Sequence, residues 1–236
     1  MKPIVIIKAG STFPWIAAKH GDFEAWIIKG SGLTPDRFRV ISIQGRRFPP
    51  LPQVGGIVIT GSHEMITETS ARNRAFETWL RQAVDQRIPT LGICYGHHLL
   101  AQVAGGTVGY LKGGAEMGTV RIRLLPEAGT DRLLGSLPPD FVAQSAHSQT
   151  VLTLPPGAVL LASGDRDPHQ AFGLHGSAWG VQFHPEFSAE ILRLYLRQEQ
   201  LMLENQGVDP VALARAARET PCGEQLLHRF VELINE

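Results

Sequence analysis

Cys94 sits in the string GICYGHHLLA, Gly92 to Ala101. An apolar run, residues 88–93, enters it with the pattern of a buried strand, and an amphipathic run, residues 97–103, leaves it with the pattern of a helix. Gly92 and Gly96 lie two before and two after the cysteine. Small residues there permit the sharp, strained turn of a nucleophile elbow, which exposes the side chain between strand and helix. The N-terminal end of the following helix favours the thiolate, the nucleophilic form, over the thiol. Such a nucleophile needs a base, and the base needs a group to orient it. Among the nine histidines, the best context is VQFHPEF, Val181 to Phe187. His184 follows an apolar strand at its carboxyl end, where sites in open α/β sheets lie. Glu186 is two residues on, and in extended chain residues i and i+2 project to the same side. Its carboxylate can hold the His184 ring and stabilise the imidazolium, as the acid does in a Ser-His-Asp triad.

The elements needed to position these groups are visible in the pattern. Strands are expected at 4–8, 39–43, 56–60 and 90–93, and helices at 23–29, 71–85 and 97–104. This alternation implies βαβ units and a mostly parallel α/β sheet with helices on both faces. The middle changes character. Residues 108–111, 120–125, 141–144, 151–154, 159–162, 170–174 and 179–183 read as strands between Gly/Pro turns, expected to add antiparallel strands to the edge of the parallel core. Ser188 can cap a helix running to about residue 206, with Gly207 as its stop. Asp209-Pro210 starts another helix, and Pro221 opens the last. With no linker, repeat or low-complexity segment, residues 1–236 read as a single domain, of which about 188–236 form a C-terminal helical extension.

Composition narrows the function classes. The chain has 236 residues, 43% hydrophobic, with 22 basic and 22 acidic side chains. Zero net charge gives no electrostatic case for nucleic acid or an anionic membrane as partner. Two cysteines, Cys94 and Cys222, need no disulfide framework, which fits a reducing cytoplasmic setting. No apolar stretch reaches the roughly 18 residues needed to span a bilayer. Near the N-terminus Lys8, Gly10 and Ser11 break the apolar run, so residues 4–7 read as the first strand rather than as a targeting segment.

GICYGHHLLA together with VQFHPEF resembles the class I (triad) glutamine amidotransferases. Within them the chain is similar to the glutaminase module of GMP synthases and its stand-alone relatives. The resemblance runs in order along nearly the whole chain: strand 56–60 with Gly61-Ser62 looks like the oxyanion loop, then come the elbow, His147-Ser148-Gln149, and His-Pro-Glu. It implies a flavodoxin-like fold and a γ-glutamyl thioester on Cys94, with His184 and Glu186 as its partners. It also implies oxyanion donors at the backbone of Gly61 and Tyr95. Substrate contacts would come from Ser62, His98 and the 147–149 loop. The position four after the cysteine is usually a glutamine in this family; here it is His98, a change expected to weaken or alter glutamine recognition. No metal or cofactor is expected: His63-Glu64 lacks any HExxH or CxxC context.

Three functions compete. The first is a glutaminase releasing glutamate and ammonia from L-glutamine, with a separate synthetase chain as ammonia acceptor. A synthetase within this chain is not expected, since neither a GxxxxGK[ST] loop nor a Ser-Gly-Gly pyrophosphatase loop is present. The second is a γ-glutamyl peptidase or hydrolase using the same three residues on a larger leaving amine. The third is a non-catalytic protein on a retained fold, against which the intact Cys94, His184 and Glu186 stand. Cys222, after Pro221 and far from the motifs, reads as inert. His97 and His98 are adjacent on a helix, so only one can face the site.

Overall fold

A computed structural model of the chain describes residues 1–68 and 73–236. In chain order the strands and helices are β1 (Ile4–Lys8), α1 (Pro14–His20), α2 (Phe23–Gly30), β2 (Phe38–Ser42), β3 (Gly56–Ile59), α3 (Arg74–Asp85), β4 (Thr90–Ile93) and α4 (Tyr95–Val103). They continue with β5 (Thr107–Tyr110), β6 (Glu116–Leu124), β7 (Asp140–His147), β8 (Gln149–Thr153), β9 (Ala158–Gly164), β10 (Ala171–Leu174) and β11 (Ala178–Val181). Four helices close the chain: α5 (Ala189–Gln198), α6 (Gln200–Asn205), α7 (Pro210–Ala216) and α8 (Pro221–Asn235).

Nine strands form one sheet in the order β2-β1-β3-β4-β11-β10-β9-β6-β7. The first five are mutually parallel and the rest pair antiparallel. A run of consecutive apolar residues, rather than alternation, is what a parallel strand covered on both faces requires. In β1, Ile4 and Ile6 enter one core with Val58, Leu91 and Ile93, roofed by α2 and α8 through Ile27, Leu226 and Phe230. Val5 and Ile7 enter the opposite core with Ile57 and Ile59, roofed by α3 and α4 through Phe76, Leu80, Leu100 and Val103.

The α/β class, the mostly parallel sheet and helices on both faces are as the sequence implies. Several details differ. The strand expected at 179–183 is β11, shorter and parallel to β4, not an added antiparallel strand. That pairing joins the cysteine strand directly to the histidine strand. Strands β5 and β8 leave the main sheet and pair with each other. Helix α1 was not read from the pattern: it has seven residues, opens on Pro14 and buries Ile16 alone. Helix α4 starts at Tyr95, immediately after the cysteine, not at residue 97. The helix expected from 188 to 206 breaks at Glu199 into α5 and α6. Ser188 does cap α5, accepting from Ile191 N–H at 3.2 Å. The start of the helix expected at 71–85 lies outside the described residues; α3 begins at Arg74, capped by Asn73.

Candidate active site

Cys94 occupies the N-cap position of α4 with φ 49° and ψ −101°. That lies in the left-handed half of φ, which a residue with a Cβ occupies only where its surroundings over-determine it. Two constraints do so here. Cys94 N–H donates to Val181 O at 2.9 Å, tying it to β11, and Cys94 O accepts from His98 N–H at 3.1 Å, starting the helix. The flanking glycines make room. A Cβ on Gly92 would lie 2.4 Å from Gly96 O, and one on Gly96 would lie 2.4 Å from Ile59 O. The thiol is held at the carboxyl end of β4 with its sulfur 4.0 Å from Ala146 O.

His184 follows β11 and is anchored by its N–H to Gln144 O at 2.8 Å. Its Nδ1 donates to Glu186 Oε1 at 2.8 Å, which leaves Nε2 for the cysteine side. The Glu186 side chain is fully buried. The ring stacks on Phe187 at 4.1 Å and lies 6.1 Å from Phe23. Phe23 is set by Asp22, which accepts from the N–H groups of Thr12 and Phe23 and is paired to Lys8 at 2.7 Å. Burial opposes charging of His184, but Glu186 and the Cys94 sulfur outweigh it and push the imidazolium up to about 10. The arrangement can therefore hold a proton on His184 beside the sulfur across the physiological range.

Gly61, after β3, faces this pair: a Cβ there would lie 2.9 Å from His184 Cε1 and 3.5 Å from Phe23 Cε1. Only a glycine lets the 61–62 backbone approach so closely. Tyr95 opens α4, in the turn whose N–H groups lie beyond the reach of the helix's own carbonyls. Cys94 lines a cavity of about 270 Å³. Its wall includes Ser62, Tyr95, His98, His147, Ser148 and Gln149. Cys94, His184 and Glu186 are brought together, and all five residues expected to contact substrate line one cavity with Cys94.

Their side chains are not equally available. His98 Nε2 meets Gln182 Oε1 at 2.6 Å, and burial lowers its pKa to about 3, so the ring is neutral and turned toward Gln182. His97 is fully buried on the far side of α4; burial holds it well below its ordinary value, and it packs on Phe172 and against Gly180. Gln149 accepts from Ile66 N–H at 3.0 Å and donates to Thr67 Oγ1 at 2.5 Å, which ties the 147–149 loop to the segment after Gly61. His147 bridges Gln149 O at 2.9 Å and Glu116 Oε2 at 3.1 Å. Ser62 Oγ accepts from Glu64 N–H at 3.1 Å.

The sequence reading missed Gln182, Glu116 and the cavity residues Phe13, Met117, Tyr195, Glu199 and Met202. Gln182 stands inside VQFHPEF, but its partner His98 is 84 residues away; the others carry no local signal, because each lies well along the chain from the group it meets. Tyr195 bonds Thr12 at 2.7 Å and His63 at 3.3 Å; burial keeps its hydroxyl protonated, and burial with nearby His184 pushes His63 down. Cys222 lies outside the cavity, and burial pushes its thiol up.

A strained cysteine between a parallel strand and a helix, facing a carboxylate-held histidine just past the end of the adjacent strand, defines the cysteine-elbow class of α/β folds. The chain belongs to the class-I glutamine amidotransferase family, whose model matches residues 52–201. It is 32% identical to "Gamma-glutamyl peptidase 5" of Arabidopsis thaliana over 66% of this chain and 63% of that protein. It is 35% identical to a glutamine-hydrolyzing GMP synthase subunit of Sulfurisphaera tokodaii over 53% of this chain and 63% of that protein. The match therefore spans under two-thirds of these relatives' length. The fold matches the crystal structure of a glutamine amidotransferase from Thermotoga maritima with a TM-score of 0.76 at 22% identity, covering 100% of this chain and 99% of that one. No helix among the described residues is long and apolar enough to cross a membrane.

Proposed function

We propose that the protein hydrolyses the side-chain amide of L-glutamine through a γ-glutamyl thioester on Cys94. The observation that carries this reading is the strained Cys94 facing a His184 ring that Glu186 holds at 2.8 Å. The Cys94 thiolate attacks the amide carbon, forming the C–S bond. The oxygen's developing charge is held by the backbone N–H groups of Gly61 and Tyr95, each such donor contributing roughly 3–4 kcal/mol to the transition state. His184 Nε2 gives its proton to the amide nitrogen as the C–N bond breaks, and ammonia leaves. Water then loses a proton to His184 and attacks the thioester; the C–S bond breaks, releasing glutamate and restoring the thiolate. Ser62, Ser148 and the backbone of 147–149 hold the α-amino and α-carboxylate ends. A separate synthetase chain takes the ammonia, a reading supported by the similarity to a GMP synthase subunit. The two free cysteines suit a reducing cytoplasm.

A γ-glutamyl peptidase activity is the second reading. It is favoured by the 32%-identical peptidase relative and by His98, whose ring is turned to Gln182 rather than offering a glutamine amide to the substrate. Substituting His98→Gln is expected to lower KM for glutamine several-fold while leaving kcat nearly unchanged. An unaltered KM would show that His98 does not limit glutamine recognition. The function itself is tested by glutamate release from L-glutamine, with Cys94→Ser as the blank. Cys94-dependent turnover supports the glutaminase. If only γ-glutamyl dipeptides turn over, the peptidase reading replaces it, and failure with both classes in the isolated chain and with a synthetase partner defeats both.

A further inference from the structure

Glu199, at the break between α5 and α6, lines the same cavity as Cys94. The same wall carries Phe13, Met117, Tyr195 and Met202, and a second carboxylate, the exposed Glu64 in the segment after Gly61. Glu199 is half-buried, and a carboxylate that loses part of its water favours an opposite charge or a donor in its place. Asp22 and Glu24, two other partly buried carboxylates, share Lys8 at 2.7 Å. Among the described residues no cationic nitrogen lies within ion-pair distance of Glu199, and its carboxylate makes no hydrogen bond. Burial raises its pKa. The neighbouring cavity amide, Gln206, is already spent, its Oε1 accepting from Ala115 N–H at 3.0 Å. An unanswered charge on a cavity shared with a nucleophile marks a place for a ligand's opposite charge.

We propose that Glu199 binds a substrate ammonium group in the Cys94 cavity. The proposal rests on the γ-glutamyl reading for the identity of the substrate, but the ammonium site can be tested without it. Two sources fit the chemistry: the α-ammonium of the γ-glutamyl moiety, or an ammonium carried by the leaving amine of a γ-glutamyl conjugate.

The first experiment compares the rates at which Cys94 is modified by cationic 2-aminoethyl methanethiosulfonate and by neutral methyl methanethiosulfonate. Cys222, outside the cavity, serves as the internal reference. Glu199→Gln is expected to slow the cationic reagent at Cys94 about fivefold to tenfold, the size of a half-buried charge pair, and to leave the neutral reagent unchanged. Glu199→Asp, which keeps the charge, should retain most of the preference. An unchanged cationic-to-neutral ratio, or equal slowing of both reagents, overturns the proposal. The second experiment measures binding to Cys94→Ala by calorimetry, with and without Glu199→Gln. L-glutamine against glutaramate, which lacks only the amino group, reads the α-ammonium. The γ-glutamyl amide of 1,4-diaminobutane against that of n-butylamine reads the leaving-group ammonium. A preference lost on Glu199→Gln identifies the source; a preference in neither pair, or one that survives the substitution, overturns the proposal. If none of the four binds, the γ-glutamyl reading falls, and the reagent comparison still decides Glu199.

Discussion

Replacing Glu186 with Gln is expected to lower kcat for amide hydrolysis about 10³–10⁴-fold, the scale seen when the acid of a Ser-His-Asp triad becomes its amide. The fully buried Glu186 carboxylate touches His184 at one point, Nδ1, at 2.8 Å. An amide there can present N–H instead of oxygen, which favours the tautomer with the proton on Nε2, pointing a donor at the sulfur and removing the base. It also removes a negative charge that helps hold the imidazolium up to about 10 against burial. Burial remains, so His184 should lose its proton at a lower pH, and the alkaline limb of the rate profile should move down by at least about one unit.

The same substitution should alter the pH dependence of stability. A histidine whose folded pKa is raised contributes stability that is fully present below its unfolded value, about 6.5. That contribution fades as pH rises through the folded value, here about 10. The parent's advantage over Glu186→Gln in denaturant titrations should therefore be largest near pH 6 and shrink by pH 10.5. A variant with unchanged kcat, or an advantage that grows with pH, would show that Glu186 does not support the charge on His184.

The second large effect concerns folding. Gly92→Ala and Gly96→Ala should each cost at least about 3 kcal/mol of stability, or leave no soluble protein. The contacts decide this. A methyl on Gly92 would lie 2.4 Å from Gly96 O and 2.5 Å from Gly96 C. A methyl on Gly96 would lie 2.4 Å from Ile59 O. These are backbone atoms of β3 and of the elbow, with no rotamer to swing aside. Relief would need α4 to lift from the sheet, opening the core that Leu100 and Val103 share with Ile57 and Ile59. Gly129→Ala is the control, since nothing lies within 4 Å of a Cβ there, and its effect should stay within about 0.5 kcal/mol. Denaturant unfolding of the three variants checks the contrast. If Gly96→Ala unfolds with the parent, the elbow is not as tightly closed as these distances require.

Cys94, His184 and Glu186 were legible in the amino-acid sequence because what places them is local. An apolar strand, two small residues around a cysteine and a helical run define an elbow within ten residues, and a two-residue spacing sets the carboxylate beside the imidazole. The parallel core was legible for the same reason: consecutive apolar residues in β1 and β3 demand cover on both faces. Other features needed the folded chain. The parallel pairing of β11 with β4 joins segments almost ninety residues apart, and an apolar run does not name its neighbour. The Gln182 contact that turns His98 and the Glu116 contact that holds His147 are single side-chain meetings between segments distant in sequence, without periodicity. The place of Glu199 on the cavity wall is likewise tertiary. The 188–206 stretch has helical propensity throughout, and the break between α5 and α6 came only with the folded chain, which seats Met202 and Leu203 against the α5–α7 side of the site. Sequence alone determined which residues could react and the class of scaffold that carries them. Tertiary structure decided what surrounds them, because burial, charge pairing and cavity shape arise between segments that only folding brings together.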